Sequence, residues 1–218
     1  MVTETESPSP ATKLTPKGER TRSRIVAAAA ELMFERGVAD TTTEDVKEAA
    51  QVSGSQLYHY FADKDALVQA VIAQHADAIV ANQQQVRLDS LDGLRAWRDM
   101  IVTHVRRLHC RGGCPLGALV AQVAETDPLA RAGAAAGFNR WEAAMREGLR
   151  TMQTSGQLSA DADPDDLAVA LLAALQGGLL LAQAQRDPKP LETALDATLT
   201  LIGFLTVTPR RTPAKARR

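Results

Sequence analysis

The stretch from Thr42 to Lys64, TTEDVKEAAQVSGSQLYHYFADK, restricts the possible folds of this chain more than any other. Thr42 reads as a helix N-cap, with Glu44 and Asp45 in the first turn, where carboxylates complement the helix dipole. A helix is expected from Thr43 to Ala50, with Val46, Ala49 and Ala50 turned inward. Gln51-Val52-Ser53-Gly54 makes a turn, and a second short helix runs from Ser53 or Gly54 to about Tyr60. Leu57 and Phe61, four apart, fall on its core side. Asp63 then caps a helix that begins at Lys64. Two short helices joined by a tight turn form a helix-turn-helix, the shape that sets its second helix in the DNA major groove.

Helical spacing continues on both sides. Ile25, Ala29, Leu32 and Met33 share one face of a helix from Lys17 to Arg36, stopped by Gly37. Leu67, Val71, Ile72, His75 and Ile79 form the stripe of a helix from Lys64 to Val86, a strut over roughly 30 Å long. Further helices are expected from Leu91 to His109, Pro115 to Glu125, Pro128 to Thr154, Pro164 to Gln185 and Leu191 to Leu205. Asp187-Pro188-Lys189-Pro190 separates the last two. The expected fold is all-α, about nine helices. A three-helix head over 17–62 precedes a helical body over 63–207, between a disordered, Pro- and Ser-rich tail over 1–16 and a basic disordered tail over 208–218.

Composition excludes several classes. Hydrophobic residues make up 45% of the 218, too many for a disordered chain. The formal net charge is -1, so any DNA contact must come from a local patch and not from a bulk basic field. The tail from Thr208 carries Arg210, Arg211, Lys215, Arg217 and Arg218 without an acidic residue; it either adds non-specific DNA attraction or solubilises the C-terminus. The cluster Lys13, Lys17, Arg20, Arg22 and Arg24 is either a solvated helix start or an arm near DNA phosphate. The first residues lack an apolar signal-peptide core. The longest apolar run, Leu167 to Ala182, is shorter than the roughly 20 residues a bilayer requires. A cytoplasmic chain without membrane contact is expected.

Residues 20 to 72 resemble the DNA-binding domain of the TetR family of bacterial transcriptional regulators. The resemblance is carried by Arg24-Ile25-Val26 through Gly37, by Thr41-Thr42, and by Val52-Ser53 with Leu57-Tyr58-His59-Tyr60-Phe61-Ala62-Asp63-Lys64. Gly113-Cys114-Pro115-Leu116-Gly117-Ala118-Leu119 resembles the start of the sixth helix in an LmrA-type branch. The resemblance implies a DNA-binding regulator, most simply a repressor that a small, largely apolar effector releases from a palindromic operator. Departures fall in the reading region: Gln51 stands where the family has Gly, and Gly54, Ser55 and Gln56 replace its usual residues. The operator sequence therefore does not carry over.

For DNA contact the expected residues are Thr42, Thr43, Ser53, Ser55, Gln56, Tyr58, His59, Tyr60 and Lys64. Gln56 offers an amide that can pair with adenine in the major groove. Ser53 and Ser55 can reach a base edge or a phosphate, while Thr42, Thr43, Tyr58, Tyr60 and Lys64 suit phosphate. The resemblance puts Tyr58 and His59 near the DNA backbone or thymine methyls. Tyr58 has packing between helices as its alternative, and Thr42 a purely capping role.

In the body, Trp97, Met100, Ile101, His104, Leu108, Phe138, Trp141 and Met145 gather on two helices. They form either ordinary core or an apolar effector cavity, where the resemblance sets the ligand. His104 is either a core histidine or a ligand contact. Cys110 and Cys114 flank two glycines, and a thiol-redox regulator using them, with Arg111 lowering a thiol pKa, is the alternative on the same fold. A helical binding protein or enzyme with a vestigial head is the alternative of another class. No catalytic constellation, metal spacing or cofactor motif is present. Helices from Leu167 to Gln185 and from Leu191 to Leu205 are expected to form a homodimer as a four-helix bundle.

Overall fold

The computed structural model describes residues 14–83 and 85–206. They form helices α1 (Pro16–Arg36), α2 (Thr43–Ala49), α3 (Gly54–Tyr60), α4 (Lys64–Gln83), α5 (Leu91–Arg107), α6 (Pro115–Val123), α7 (Pro128–Thr154), α8 (Pro164–Gln185) and α9 (Lys189–Phe204). Among the described residues there is no strand, only one antiparallel bridge between Leu158 and Thr206. The all-α expectation holds. Lys13, most of the expected N-terminal tail and the basic stretch over 208–218 lie outside the described residues.

Most boundaries follow from local chemistry. Thr42, Ser53, Ser90, Asp127 and Asp163 each turn a side-chain oxygen onto a backbone N–H of the following first turn. Pro115, Pro128 and Pro164 stand in first turns, where a missing N–H costs no helical hydrogen bond. The same rule corrects two expectations. Residues 14–16 belong to the head and not to a disordered tail: Thr15 caps α1, its hydroxyl accepting Gly18 N–H at 3.2 Å, and Pro16 begins the helix. α9 starts at Lys189, with Pro190 inside its first turn, so that proline does not delay the helix to Leu191. α4 ends at Gln83, α5 at Arg107 and α6 at Val123, each a little short of its expected end.

The described residues divide into two compact units within α4, between Leu67 and Val68. In the first, Ile25, Val26, Ala29 and Met33 of α1 are buried, as are Val46, Leu57 and Phe61. Ala49, expected to face inward, is exposed. Thr41 is buried, and its hydroxyl donates to Gly37 O at 2.8 Å, so the polar entry to α2 is satisfied internally.

The second unit has its own core, built from Leu94, Trp97, Met145, Leu149, Leu171, Leu175, Leu195 and Ile202 among others. α8 is its central rod. By length and composition alone α8 would be apolar enough to cross a membrane, longer than the expected apolar run. It packs instead against α7 and α9 and buries Leu167, Leu171, Leu175 and Leu179. Its approach to α9 needs Gly178, where a Cβ would lie 2.8 Å from Leu191 Cα. Gly177 faces outward and makes no such contact. The outer side of α8 carries exposed Val169, Leu180 and Leu181, and α9 carries exposed Leu201 and Phe204.

Candidate DNA-reading head and effector cavity

In the head, both short helices begin with a reciprocal cap. Thr42 Oγ1 accepts Asp45 N–H at 3.1 Å while Asp45 Oδ2 accepts Thr42 N–H at 2.9 Å. The Thr42 hydroxyl and then its backbone N–H hold the Asp45 carboxyl below its ordinary pKa. At α3, Gln56 Oε1 accepts Ser53 N–H at 3.0 Å and Ser53 Oγ accepts Gln56 N–H at 3.2 Å. Ser53 Oγ also lies 2.9 Å from Ser55 Oγ. The turn between the helices passes through Gln51 at φ 52°, a left-handed conformation that glycine adopts without strain. Arg24 Nε braces the turn by donating to Ala50 O at 2.9 Å.

These caps bear on the expected DNA contacts. Thr42 and Ser53 are exposed but already serve as caps. Gln56 is exposed, yet its amide oxygen is engaged, so pairing with adenine needs that oxygen to be shared or released. Ser55 and His59 are exposed on α3, and Tyr58 is 58% exposed, which removes packing as its main role. Tyr60 is half-buried, its ring edge-on to His59 and its hydroxyl beside Gly18 at the start of α1. Thr43 is half-buried. Lys64 Nζ donates to Ala39 O at 3.1 Å, tying the start of α4 to the turn before α2. Of the nearby cations, Arg22 lies over the Phe61 ring at 5.2 Å and Lys47 pairs with Glu44, while Lys17 and Arg20 are on the first turns of α1. Lys47 and Glu44 thus partly cancel.

The second unit contains a cleft of about 510 Å³ among α4, α5, α6, α7 and α8. Trp97, Met100, Ile101, His104, Leu108 and Trp141 line it, six of the eight residues expected there. The other two do not: Met145 is fully buried in the core, and Phe138 packs against that core. Trp97 and Trp141 are the only tryptophans of the chain. His104 is exposed, with Nδ1 3.2 Å from Arg107 Nη2, so its place is the solvent edge of the cleft and not the apolar face expected of it. Val105 occupies that face.

Four polar residues, Gln83, Arg107, Arg111 and His75, line the cleft without being expected there from the sequence. Gln83 is only 4% exposed, and neither its Oε1 nor its Nε2 has a hydrogen-bond partner among the described residues. Trp141 Nε1 is likewise buried without a partner. Such groups each cost roughly 1–3 kcal/mol when desolvated and unpaired. Arg107 and Arg111 stand exposed at the rim. His75 also lines the cleft, and burial lowers its pKa, so the ring is neutral at pH 7. Polar side chains at one end of an otherwise apolar helix were the available signal, but only packing distinguishes a cavity wall from a solvated end.

The loop from α5 to α6 borders the cleft and is conformationally costly. His109 and Cys110 have φ of 51° and 56°, followed by Gly112 at 92° and Gly113 at 58°. Arg186 holds it by donating to Cys110 O at 3.0 Å. Cys110 is buried, and Cys114 caps α6 through Sγ, which accepts Gly117 N–H at 3.4 Å. Both cysteines are free thiols. Burial pushes the Cys114 thiol up, opposite to the lowered pKa expected of a reactive thiolate beside Arg111. Among the described residues no cluster of His, Cys, Asp and Glu suited to a metal ion occurs.

Two family descriptions match the chain. Residues 25–71 match "Bacterial regulatory proteins, tetR family", and residues 90–198 match "Tetracyclin repressor-like, C-terminal domain". The chain is 28% identical to the transcriptional regulator AcuR of Cereibacter sphaeroides, over 82% of this chain and 83% of that one. It is 31% identical to the HTH-type transcriptional regulator Rv0196 of Mycobacterium tuberculosis, over 78% of this chain and 88% of that protein. The structure is similar to that of a TetR transcriptional regulator from Chloroflexus aurantiacus, with a TM-score of 0.73 at 27% identity, covering 88% of this chain and 98% of that chain.

Proposed function

Because this chain belongs to the TetR family of bacterial regulatory proteins, and so to the DNA-binding transcriptional regulators, we propose that it is a homodimeric repressor released from its operator by a small effector. The observation that carries the reading is the tryptophan-lined cleft of about 510 Å³ in the C-terminal unit of a chain whose N-terminal unit is a capped helix-turn-helix. A cleft of that size and lining suits a largely apolar small molecule. Repression is favoured by the repressor-like description that the C-terminal unit matches.

In this reading the first unit, which ends at Leu67, holds DNA and the second, from Val68, binds ligand and partner. Ser53, Ser55, Gln56, Tyr58 and His59 meet the major groove, while Thr42, Thr43, Tyr60 and Lys64 meet phosphate. Exposed Val169, Leu180 and Leu181 on α8, with Leu201 and Phe204 on α9, supply an apolar face for a second copy. A two-fold dimer calls for a palindromic operator with half-sites about one helical turn or more apart. The effector acts through its unequal affinity for the DNA-binding and released states. The work is done in the bacterial cytoplasm, and no membrane enters it.

The test is an electrophoretic mobility shift of the full chain on DNA flanking its own gene, followed by footprinting. A shifted fragment with a palindromic footprint is expected, together with an effector that releases it and quenches tryptophan fluorescence. The reading fails if no flanking fragment is bound below micromolar protein, or if cleft ligands leave the bound complex untouched.

A further inference from the structure

We infer that the effector is an organic acid with an apolar body and a hydroxyl group, its carboxylate held at the rim by Arg107 and Arg111 and its hydroxyl held inside by Gln83 and Trp141. This rests on the effector-cleft reading above and specifies the chemistry that the cleft selects.

The charge of the cleft is one-sided. Among the described residues no aspartate or glutamate lines it, whereas Arg107 and Arg111 both do. Elsewhere in the unit Arg98, Arg106, Arg140 and Arg150 each meet a carboxylate. Among the described residues Arg107 and Arg111 form no ion pair; the neighbour of Arg107 is His104, a ring nitrogen. Two cations left without carboxylates at the edge of an apolar cleft attract and orient an anion, and a guanidinium receives a carboxylate through two parallel hydrogen bonds.

The interior asks for something else. Two of the lining residues carry orphaned, buried groups: two donors, Gln83 Nε2 and Trp141 Nε1, and one acceptor, Gln83 Oε1. A hydroxyl both donates and accepts, so one such group can answer the acceptor and a donor. A carboxylate buried at this depth would face Oε1 without a proton to give it and would lose its hydration. The charge therefore belongs at the rim and the hydroxyl inside, joined by a body that lies on Trp97, Ile101, Leu175 and Leu179. A ring with a hydroxyl at one end and a carboxylate at the other fits this order.

The probes are para-coumarate, cinnamate, which lacks the hydroxyl, and para-coumaramide, which lacks the charge, titrated into the full chain by calorimetry. Para-coumarate should bind, and each deletion should weaken it by roughly tenfold, the worth of one lost charge-assisted or buried hydrogen bond. In an R107Q/R111Q variant the acid and the amide should bind alike. In Gln83→Leu, para-coumarate and cinnamate should bind alike. The comparison of the three ligands on the unaltered protein needs no variant to fold. The inference is overturned if the amide binds as well as the acid, if cinnamate equals para-coumarate, or if no ligand binds. Parallel operator-release measurements separate it from the wider reading. Neutral ligands that bind and release DNA overturn the acid chemistry alone, whereas an acid that binds with the stated preferences and leaves the operator complex intact overturns the effector role alone.

Discussion

Gln56 and Ser53 cap each other across the first turn of α3: the Gln56 amide oxygen takes the Ser53 N–H at 3.0 Å, and the Ser53 hydroxyl takes the Gln56 N–H at 3.2 Å. The side chain best suited to read an adenine is thus the one that holds the reading helix in shape. Removing it has two consequences that separate variants resolve. Gln56→Ala should lower head stability by about 0.5–1 kcal/mol, as loss of one capping arm does. It should also weaken operator binding by about 1–3 kcal/mol and relax preference at one or two base pairs. Gln56→Glu keeps an acceptor for Ser53 N–H and should melt like the parent protein while still losing the adenine donor. An equal affinity loss on unrelated DNA sequences would make Gln56 a scaffold residue only.

Gln51 occupies the left-handed turn of the helix-turn-helix at φ 52° and is exposed. Left-handed backbone costs a non-glycine residue about 1–2 kcal/mol, and glycine returns part of that as greater freedom of the unfolded chain. Gln51→Gly should therefore stabilise the protein by roughly 0.5–1 kcal/mol in urea unfolding. A destabilised variant would mean that the glutamine side chain holds the turn through contacts stronger than its strain.

Half-buried His75 is kept neutral by burial, with a pKa lowered from 6.5. Between that lowered value and 6.5 the unfolded chain binds more protons than the folded one, so stability rises with pH through this window and is lost as the pH falls through it. Among the described residues no carboxylate lines the cleft beside it to reverse the sign. His75→Gln should flatten the pH dependence of the melting temperature in this window and leave it unchanged at higher pH. An identical profile would show that His75 charges freely in the folded state.

Leu180 on α8 is 65% exposed and Phe204 on α9 is 83% exposed. Each buried against a second copy would contribute about 1.5–3 kcal/mol. Replacing both by glutamate should leave helicity intact and yield a monomer in sedimentation, with operator binding lost. A dimer that persists would relocate the interface to another face.

Short-range chemistry was legible in the sequence to a large degree. The caps at Thr42 and Asp63 and the proline starts at Pro115, Pro128 and Pro164 depend on neighbours within one turn, and the helices begin where those residues stand. The N-terminal edge of α1 was missed because Thr15-Pro16 sits beside a Pro- and Ser-rich stretch of the same composition as a tail. Ser53-x-x-Gln56 carries the capping-box signature in the sequence, but the same glutamine also suits a base contact, and only the folded geometry shows its oxygen engaged in the cap. Most of the apolar wall of the cleft followed from helical spacing. Gln83, Arg107 and Arg111 did not, since a polar side chain acquires a role in a cavity only from the helices packed around it. Met145 and Phe138 share the spacing of Trp141 but fall a fraction of a turn away, Met145 inside the core and Phe138 packed against it, so neither lines the cleft.

The three sides of α8 leave it no slack. Leu175 and Leu179 are wall to the cleft, Gly178 is pressed to the backbone of Leu191, and Val169, Leu180 and Leu181 are turned outward. A molecule that wedges against the wall meets a rod already clamped from behind. If the cleft takes the proposed effector, bending this rod would open the clamp, so the rod would tilt or slide as one piece with α9, with Gly178 as the fulcrum.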